Sequence, residues 1–192
     1  MPRPPRVQFE GAVYHVTTRG NNRERIFAGP PDDELLLSFL AKVVDGHGWL
    51  CHAYCLMTNH YHLLVQTPKA NLAAGMHELN SRYAKAFLAR QGRTGHAFER
   101  RYHARLIERQ AHLLEVCRYI VLNPTRATPS CPVAEWPWSS YRATGGLAPR
   151  PAFLTTEWVL GHFGAPARAR ERYRAFVAAG SPAASLDGIL LS

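Results

Sequence analysis

The chain has 192 residues, 46% of them apolar, which is enough for one ordinary domain with a sizeable core. Its formal net charge of +9 and pI near 9.8 point to an acidic partner, most commonly nucleic acid, although an arginine-rich background composition gives the same excess. No apolar run approaches ~18 residues, so no membrane contact is expected. The opening MPRPPR has no apolar signal region, which points to the cytoplasm. Cys51, Cys55, Cys117 and Cys131 show no CxxC spacing, so buried free thiols fit better than a structural zinc site.

Residues 1–8 read as a flexible basic lead-in. Residues 11–18 (GAVYHVTT) alternate Val13, His15 and Thr17 on one side with Tyr14 and Val16 on the other, a strand pattern. RGNNRER, residues 19–25, is a basic turn with Gly20, Asn21 and Asn22 at its bend. Pro30, Pro31, Asp32 and Asp33 open a helix whose apolar residues Leu35, Leu36, Phe39, Leu40, Val43 and Val44 recur at helical spacing, and Gly46 and Gly48 end it. Two strands follow, over 49–57 and 61–66, joined by a tight turn at Thr58 and Asn59. Asn71 is expected to cap a helix over 72–91. A fourth strand with an irregular start is expected over 95–108, mixing Arg100, Arg101, His103 and Arg105 with Phe98 and Tyr102.

A helix over 111–123 puts Leu113, Val116, Cys117, Ile120 and Val121 on one stripe and His112, Glu115, Tyr119 and Asn123 on the other, with Pro124 as its stop. Trp136, Trp138 and Tyr141 are expected to pin a Pro/Trp/Ser-rich connection to the domain. Two short helices follow, over 158–163 and 166–179, and the stretch after Ser181 carries no readable chemistry. The order β-α-β-β-α-β-α predicts an α+β fold, a ferredoxin-like antiparallel sheet with helices packed on it, plus a small C-terminal helical extension. The expected organisation is a lead-in over 1–8, a catalytic domain over 9–143, an extension over 144–180 and a tail over 181–192.

The chemistry centres on His60, Tyr61 and His62. Strand parity puts both imidazoles on one face, a ready pair of metal ligands, although two hydrogen-bonded histidines would look the same in sequence. If the helix carrying Tyr119 and Asn123 lies over that face, two ring nitrogens and one amide oxygen can hold a divalent cation beside a tyrosine. A phenol is a poor nucleophile at neutral pH unless activated, and a cation polarising a phosphate supplies part of what is missing. Of the competing tyrosines, Tyr61 points away by parity, Tyr102 sits in the basic strand where it can stack a base, and Tyr141 reads as packing. Arg19, Asn21, Asn22, Arg23 and Arg25 are the first candidates for DNA contacts, with Arg100, Arg101 and Arg105 next; each is also compatible with ordinary surface charge.

Three ordered motifs, YHVTTRGNNRERIF, LMTNHYHLLV and RYIVLNPTRA, resemble those of the REP-associated tyrosine transposases, single-domain relatives of IS200/IS605-type transposases within the HUH nucleases. The likeness spans roughly residues 9–143, and EWVLGHFG with RYRAFVAAG is similar to the family's C-terminal extension. The resemblance implies metal ligation by His60, His62 and Asn123, and Tyr119 as the nucleophile. It also implies Mg²⁺ or Mn²⁺, where imidazoles alone argue equally for zinc, and cleavage of single-stranded DNA near hairpins through a 5′-phosphotyrosine. Thr58 stands where the family often has Pro, Tyr61 where it has a small aliphatic residue, and NPTRATP where NPVRAGL-like runs are usual. Two other functions remain open: a hairpin-binding module that does not cut, and a metal-dependent nuclease using water. A monomer is expected rather than a homodimer, because the C-terminal helices can cover the surface that relatives pair through.

Overall fold

The computed structural model describes residues 8–108, 110–180 and 185–191. The strands are β1 (Ala12–Arg19), β2 (Leu50–Leu56), β3 (His60–Thr67) and β4 (His103–Leu106), which form one sheet in the order β2-β3-β1-β4. Every neighbouring pair is antiparallel. With helices α1 (Pro30–His47) and α2 (Leu72–Arg90) as the two crossovers, this is the ferredoxin-like α+β arrangement expected from the order of elements.

The pairing register assigns every strand side chain to a face. Thr17 lies opposite His62, Val16 opposite Leu63 and Tyr14 opposite Val65. One face therefore carries Tyr14, Val16, Tyr61, Leu63 and Val65, buried against Leu36, Leu40 and Val43 of α1 and Met76, Leu79 and Tyr83 of α2. Ala53, Cys55 and Leu64 on the other face are buried under Val116, Cys117, Ile120 and Val121 of α3 (Gln110–Val121). A sheet covered on both sides explains why β2 and β3 are apolar almost throughout rather than alternating.

The free edge of β2 is also covered. Leu56 N donates to Trp138 O (2.8 Å), Ser140 N to Tyr54 O (2.9 Å) and Trp136 Nε1 to Leu56 O (3.0 Å), so the Trp-rich connection occupies the exposed strand groups as expected. Beyond it lie α5 (Tyr141–Thr144), α6 (Glu157–Gly161) and α7 (Pro166–Ala178). Tyr173 and Val177 of α7 pack into the α3 layer, and Arg118 of α3 lies over the Phe176 ring at 4.3 Å. The extension is thus laid against the helix that carries Tyr119.

The structure corrects three expectations. The fourth strand spans four residues only; the stretch before it meets the sheet at a single bridge, Gly20 to Phe98, and Gly95 there has φ +102°. Asn71 does not cap α2 with its side chain: its Oδ1 accepts from Trp49 Nε1 (2.8 Å) and its Nδ2 donates to His47 O (2.9 Å), tying the start of α2 to the end of α1. Pro124 begins a helix rather than ending one. The turn α4 (Asn123–Ala127) starts with Pro in its first positions, where its missing N–H costs nothing, and α3 stops at Val121. The tail holds α8 (Leu186–Leu191), which packs on α3, and its Asp187 pairs with Arg105 at 2.5 Å. The basic lead-in lies outside the described residues except for Gln8, as do 181–184 and 192 in the tail.

Candidate active site

His60 and His62 stand on the α3 face of β3, at the end next to the β2–β3 turn, with their ring centroids 5.0 Å apart. The turn is held from the other side by the basic loop: Gly20 N donates to Asn59 O (2.8 Å), Ile26 N to Thr58 O (3.0 Å) and Asn59 Nδ2 to Arg23 O (2.9 Å). That loop contains a 3₁₀ turn, Asn21–Arg23, in which Asn22 and Arg23 both have positive φ. Left-handed backbone at two residues that are not glycine is unfavourable, and the bonds around Thr58 and Asn59 hold it there.

The two rings have matching polarity. His60 Nδ1 lies 2.7 Å from Asn59 Oδ1, so in the neutral ring Nδ1 carries the proton and donates, and Nε2 keeps its lone pair. His62 Nδ1 lies 2.9 Å from His15 Nε2 and 3.1 Å from Thr17 Oγ1, while His62 Nε2 is buried with no hydrogen-bond partner among the described residues. Burial, then the positive Arg19, lowers the His60 pKa to about 4. Burial, then His15, His60, Arg19 and Arg126, lowers that of His62 well below its usual value. Both rings are therefore neutral at pH 7, the form in which imidazole binds a cation.

Tyr119 on α3 completes the cluster. Its ring meets His62 edge-on at 6.1 Å between centroids and His15 at 6.0 Å, and the Arg126 guanidinium lies over it at 4.4 Å. Asn123 Nδ2 donates to Tyr119 O (2.9 Å) and Ile120 O (3.2 Å), closing the open carbonyl end of α3 and fixing the amide plane. Asn123 thus sits just past α3 rather than on it, and among the described residues its Oδ1 takes no hydrogen bond. No cluster of three His, Cys, Asp or Glu suited to a metal ion occurs among the described residues. His15 is near, but it meets His62 through Nδ1, the side away from the unpartnered nitrogen. Two imidazole Nε2 atoms, with an amide oxygen as a third donor, are a chemically suitable set for a divalent cation that takes its remaining ligands from phosphate and water.

The competing tyrosines are placed elsewhere. Tyr61 is buried on the opposite face, where its hydroxyl donates to Asn80 Oδ1 at 2.5 Å, and Tyr141 packs beside Tyr173. Tyr102, expected to be available for stacking a base, is buried. Of the basic candidates, Arg19 is exposed and faces His60 across the β1–β3 pair. Asn22, Arg23 and Arg25 are exposed on the loop beside it, and Asn21 is half-buried with its backbone N–H on Ala97 O (3.0 Å). Arg100 pairs with Glu99 (2.9 Å), and with Arg101 it borders a cavity of about 500 Å³ against α2, on the other side of the sheet from the histidines. Arg105 is held by Asp187.

His15, Thr17 and Arg126 belong to the cluster and were not singled out in the sequence. The signal for the first two was present: His15 and Thr17 share a face of β1 by parity, and the ferredoxin-like order makes β1 the neighbour of β3. Arg126 has no such signal, since its approach to Tyr119 depends on the break between α3 and α4.

The fold is also found in a solved structure. A REP-associated tyrosine transposase bound to a REP hairpin superposes with a TM-score of 0.63 at 19% identity, over 78% of this chain and 89% of that one. A Deinococcus radiodurans R1 protein described as a candidate transposase aligns with a TM-score of 0.44 at 16% identity, over 62% of this chain and 95% of that one. No curated protein matches the sequence. The family model "Transposase IS200 like" matches residues 8–123, and the chain belongs to that transposase family. No helix among the described residues is long and apolar enough to cross a membrane.

Proposed function

We propose that this transposase-family protein nicks and rejoins single-stranded DNA beside REP-like hairpins through a 5′-phosphotyrosine on Tyr119. The observation that carries the reading is the edge-on contact of Tyr119 with His62, a histidine whose only unpartnered nitrogen is Nε2. His60, His62 and the Asn123 amide oxygen would hold Mg²⁺ or Mn²⁺, which when bound polarises the scissile phosphate and offsets negative charge as it develops. Tyr119 Oη attacks phosphorus, forming the Tyr–O–P bond. The P–O3′ bond breaks, the leaving oxygen takes a proton from solvent to end as a free 3′-hydroxyl, and the phenolic proton passes to solvent. Arg126, stacked on the Tyr119 ring, and Arg19, beside His60, put positive charge where the phosphate must sit. Rejoining is the reverse attack by a 3′-hydroxyl on the phosphotyrosine.

Exposure at the end of β1 and on the loop after it suits Arg19, Arg23 and Arg25 for the backbone of the cut strand, and a hairpin partner fits the net charge of +9. Incubation of wild type and Tyr119→Phe with a labelled hairpin oligonucleotide and Mn²⁺ tests the reading. A DNA–protein adduct with wild type and none with the variant is expected. Cleavage by Tyr119→Phe at the wild-type rate would assign the attack to water, and binding by both without cutting would make the protein a hairpin-binding module.

A further inference from the structure

We infer that His15 and Thr17 are positioning residues for His62, accepting the proton on its Nδ1 so that Nε2 presents its lone pair to a cation; the inference rests on the proposed metal site. A neutral imidazole has one N–H and one lone pair. If Nε2 is to bind a cation, Nδ1 must hold the proton and needs an acceptor, and ligating histidines generally find one in a neighbouring group. Two acceptors stand within reach on β1: His15 Nε2 at 2.9 Å and Thr17 Oγ1 at 3.1 Å.

The register makes this a property of the sheet rather than of a loose side chain. Thr17 is the Cα partner of His62, and His15 lies two residues along on the same face, its ring nearly parallel to that of His62 (12°) with centroids 5.1 Å apart. The opposite proton arrangement, with His15 donating to His62 Nδ1, would put the proton on His62 Nε2 and leave that nitrogen unable to bind metal; either arrangement leaves one buried N–H without a partner, at His62 Nε2 or at His15 Nδ1, so it is the cation that selects the first. His15 itself is buried, with its Nε2 facing His62 Nδ1. His60 is held in the same sense by Asn59, so each imidazole of the pair has its own acceptor.

The test is Mn²⁺ affinity, read from the loss of the free-ion EPR signal, on full-length wild type, His62→Ala, His15→Leu/Thr17→Val and His15→Gln. Gln can place an amide oxygen near the position of the imidazole Nε2 and so can still accept. The inference expects His62-dependent binding in wild type, affinity about 10–100-fold weaker in the double variant, and near wild-type affinity in His15→Gln. The thermal midpoint of metal-free His15→Leu should not fall with its affinity, because Leu removes a buried polar ring without leaving it unpaired. If the double variant is poorly folded, His15→Leu and Thr17→Val alone must each weaken binding. Wild-type affinity in the acceptor-less variants would overturn the positioning role and leave the metal site standing. Equal loss in His15→Gln and His15→Leu would also overturn it. No His62-dependent binding in wild type would overturn both the inference and the metal site.

Discussion

Tyr61 and Asn80 join the strand of the paired histidines to α2: the Tyr61 hydroxyl donates to Asn80 Oδ1 at 2.5 Å in the buried layer beneath the sheet. Asn80 Nδ2 in turn donates to Arg101 O (2.7 Å) and lies 3.4 Å from Thr18 Oγ1. One amide thus ties β3, α2, β1 and the approach to β4 together. The large residue between the two histidines is therefore an anchor for their strand on the face away from the chemistry.

Tyr61→Phe keeps the ring and leaves Asn80 Oδ1 buried without its donor, a loss of about 1–3 kcal/mol. Urea unfolding should show a lower midpoint with an unchanged slope. Because no atom of the cluster is altered, the DNA–protein adduct should still form at temperatures where the variant is folded. An unchanged midpoint would mean that the Tyr61–Asn80 bond contributes nothing net.

Gly75 on α2 is in contact with the Trp49 indole. A Cβ at Gly75 would stand 2.2 Å from Trp49 Cζ2 and 2.7 Å from Cη2, so the helix and the ring approach only because position 75 has no side chain. Trp49 cannot swing away freely, since its Nε1 is held by Asn71. Gly75→Ala should therefore destabilise by about 1–3 kcal/mol through overpacking, despite the better helix propensity of Ala. In the Trp49→Leu background the same substitution should cost much less, and equilibrium unfolding of the four proteins of the cycle measures the coupling. Additive effects would count against the contact.

The order of elements along the chain and the two faces of β3 were legible in the sequence because strand parity and helical spacing are local. Tyr61, Leu63 and Val65 fall on one side and His60 and His62 on the other whatever surrounds them. What was not legible depends on tertiary partners. Residues 95–102 have strand-like composition, yet Arg101 O turns to Asn80 instead of a neighbouring strand. Asn71 has the residue type of a cap, but Trp49 and His47 claim both ends of its amide. Within the candidate site, His60, His62, Tyr119 and Asn123 could be named from spacing and resemblance. Arg126 could not, because its place over the Tyr119 ring follows from a helix break that Pro124 was expected to make in the opposite sense.

Asp33 gives the fold a pH dependence. It is buried near the start of α1, and burial, then neighbouring Asp32, raises its pKa from 3.8 to about 7, with Glu34 adding to the rise. Between about pH 4 and pH 7 the folded state holds a proton that the unfolded state has lost, so stability falls as pH rises through this window and stays lower above it. Asp33→Asn removes the charge and should raise the thermal midpoint at pH 8. The gain should shrink towards zero as the pH approaches about 4, where both versions are neutral. Differential scanning fluorimetry across this range checks the sign, and a gain that grew on acidification would contradict the assignment.

Arg19 and Arg105 differ in a way that salt titration can read. Arg19 is exposed beside His60, whereas Arg105 is already paired with Asp187 at 2.5 Å. If the cut strand runs over the histidines, affinity for a single-stranded oligonucleotide should fall steeply with salt, at about 0.7 log unit per log unit of salt for each phosphate neutralised. Arg19→Ala should flatten the slope by about one such contact and weaken binding across sequences alike. Arg105→Ala should change the slope less, since a paired guanidinium must first give up its carboxylate to meet a phosphate. Fluorescence anisotropy at several salt concentrations compares the two. A larger change for Arg105 than for Arg19 would move the strand's path away from the β1–β3 end of the sheet and towards β4.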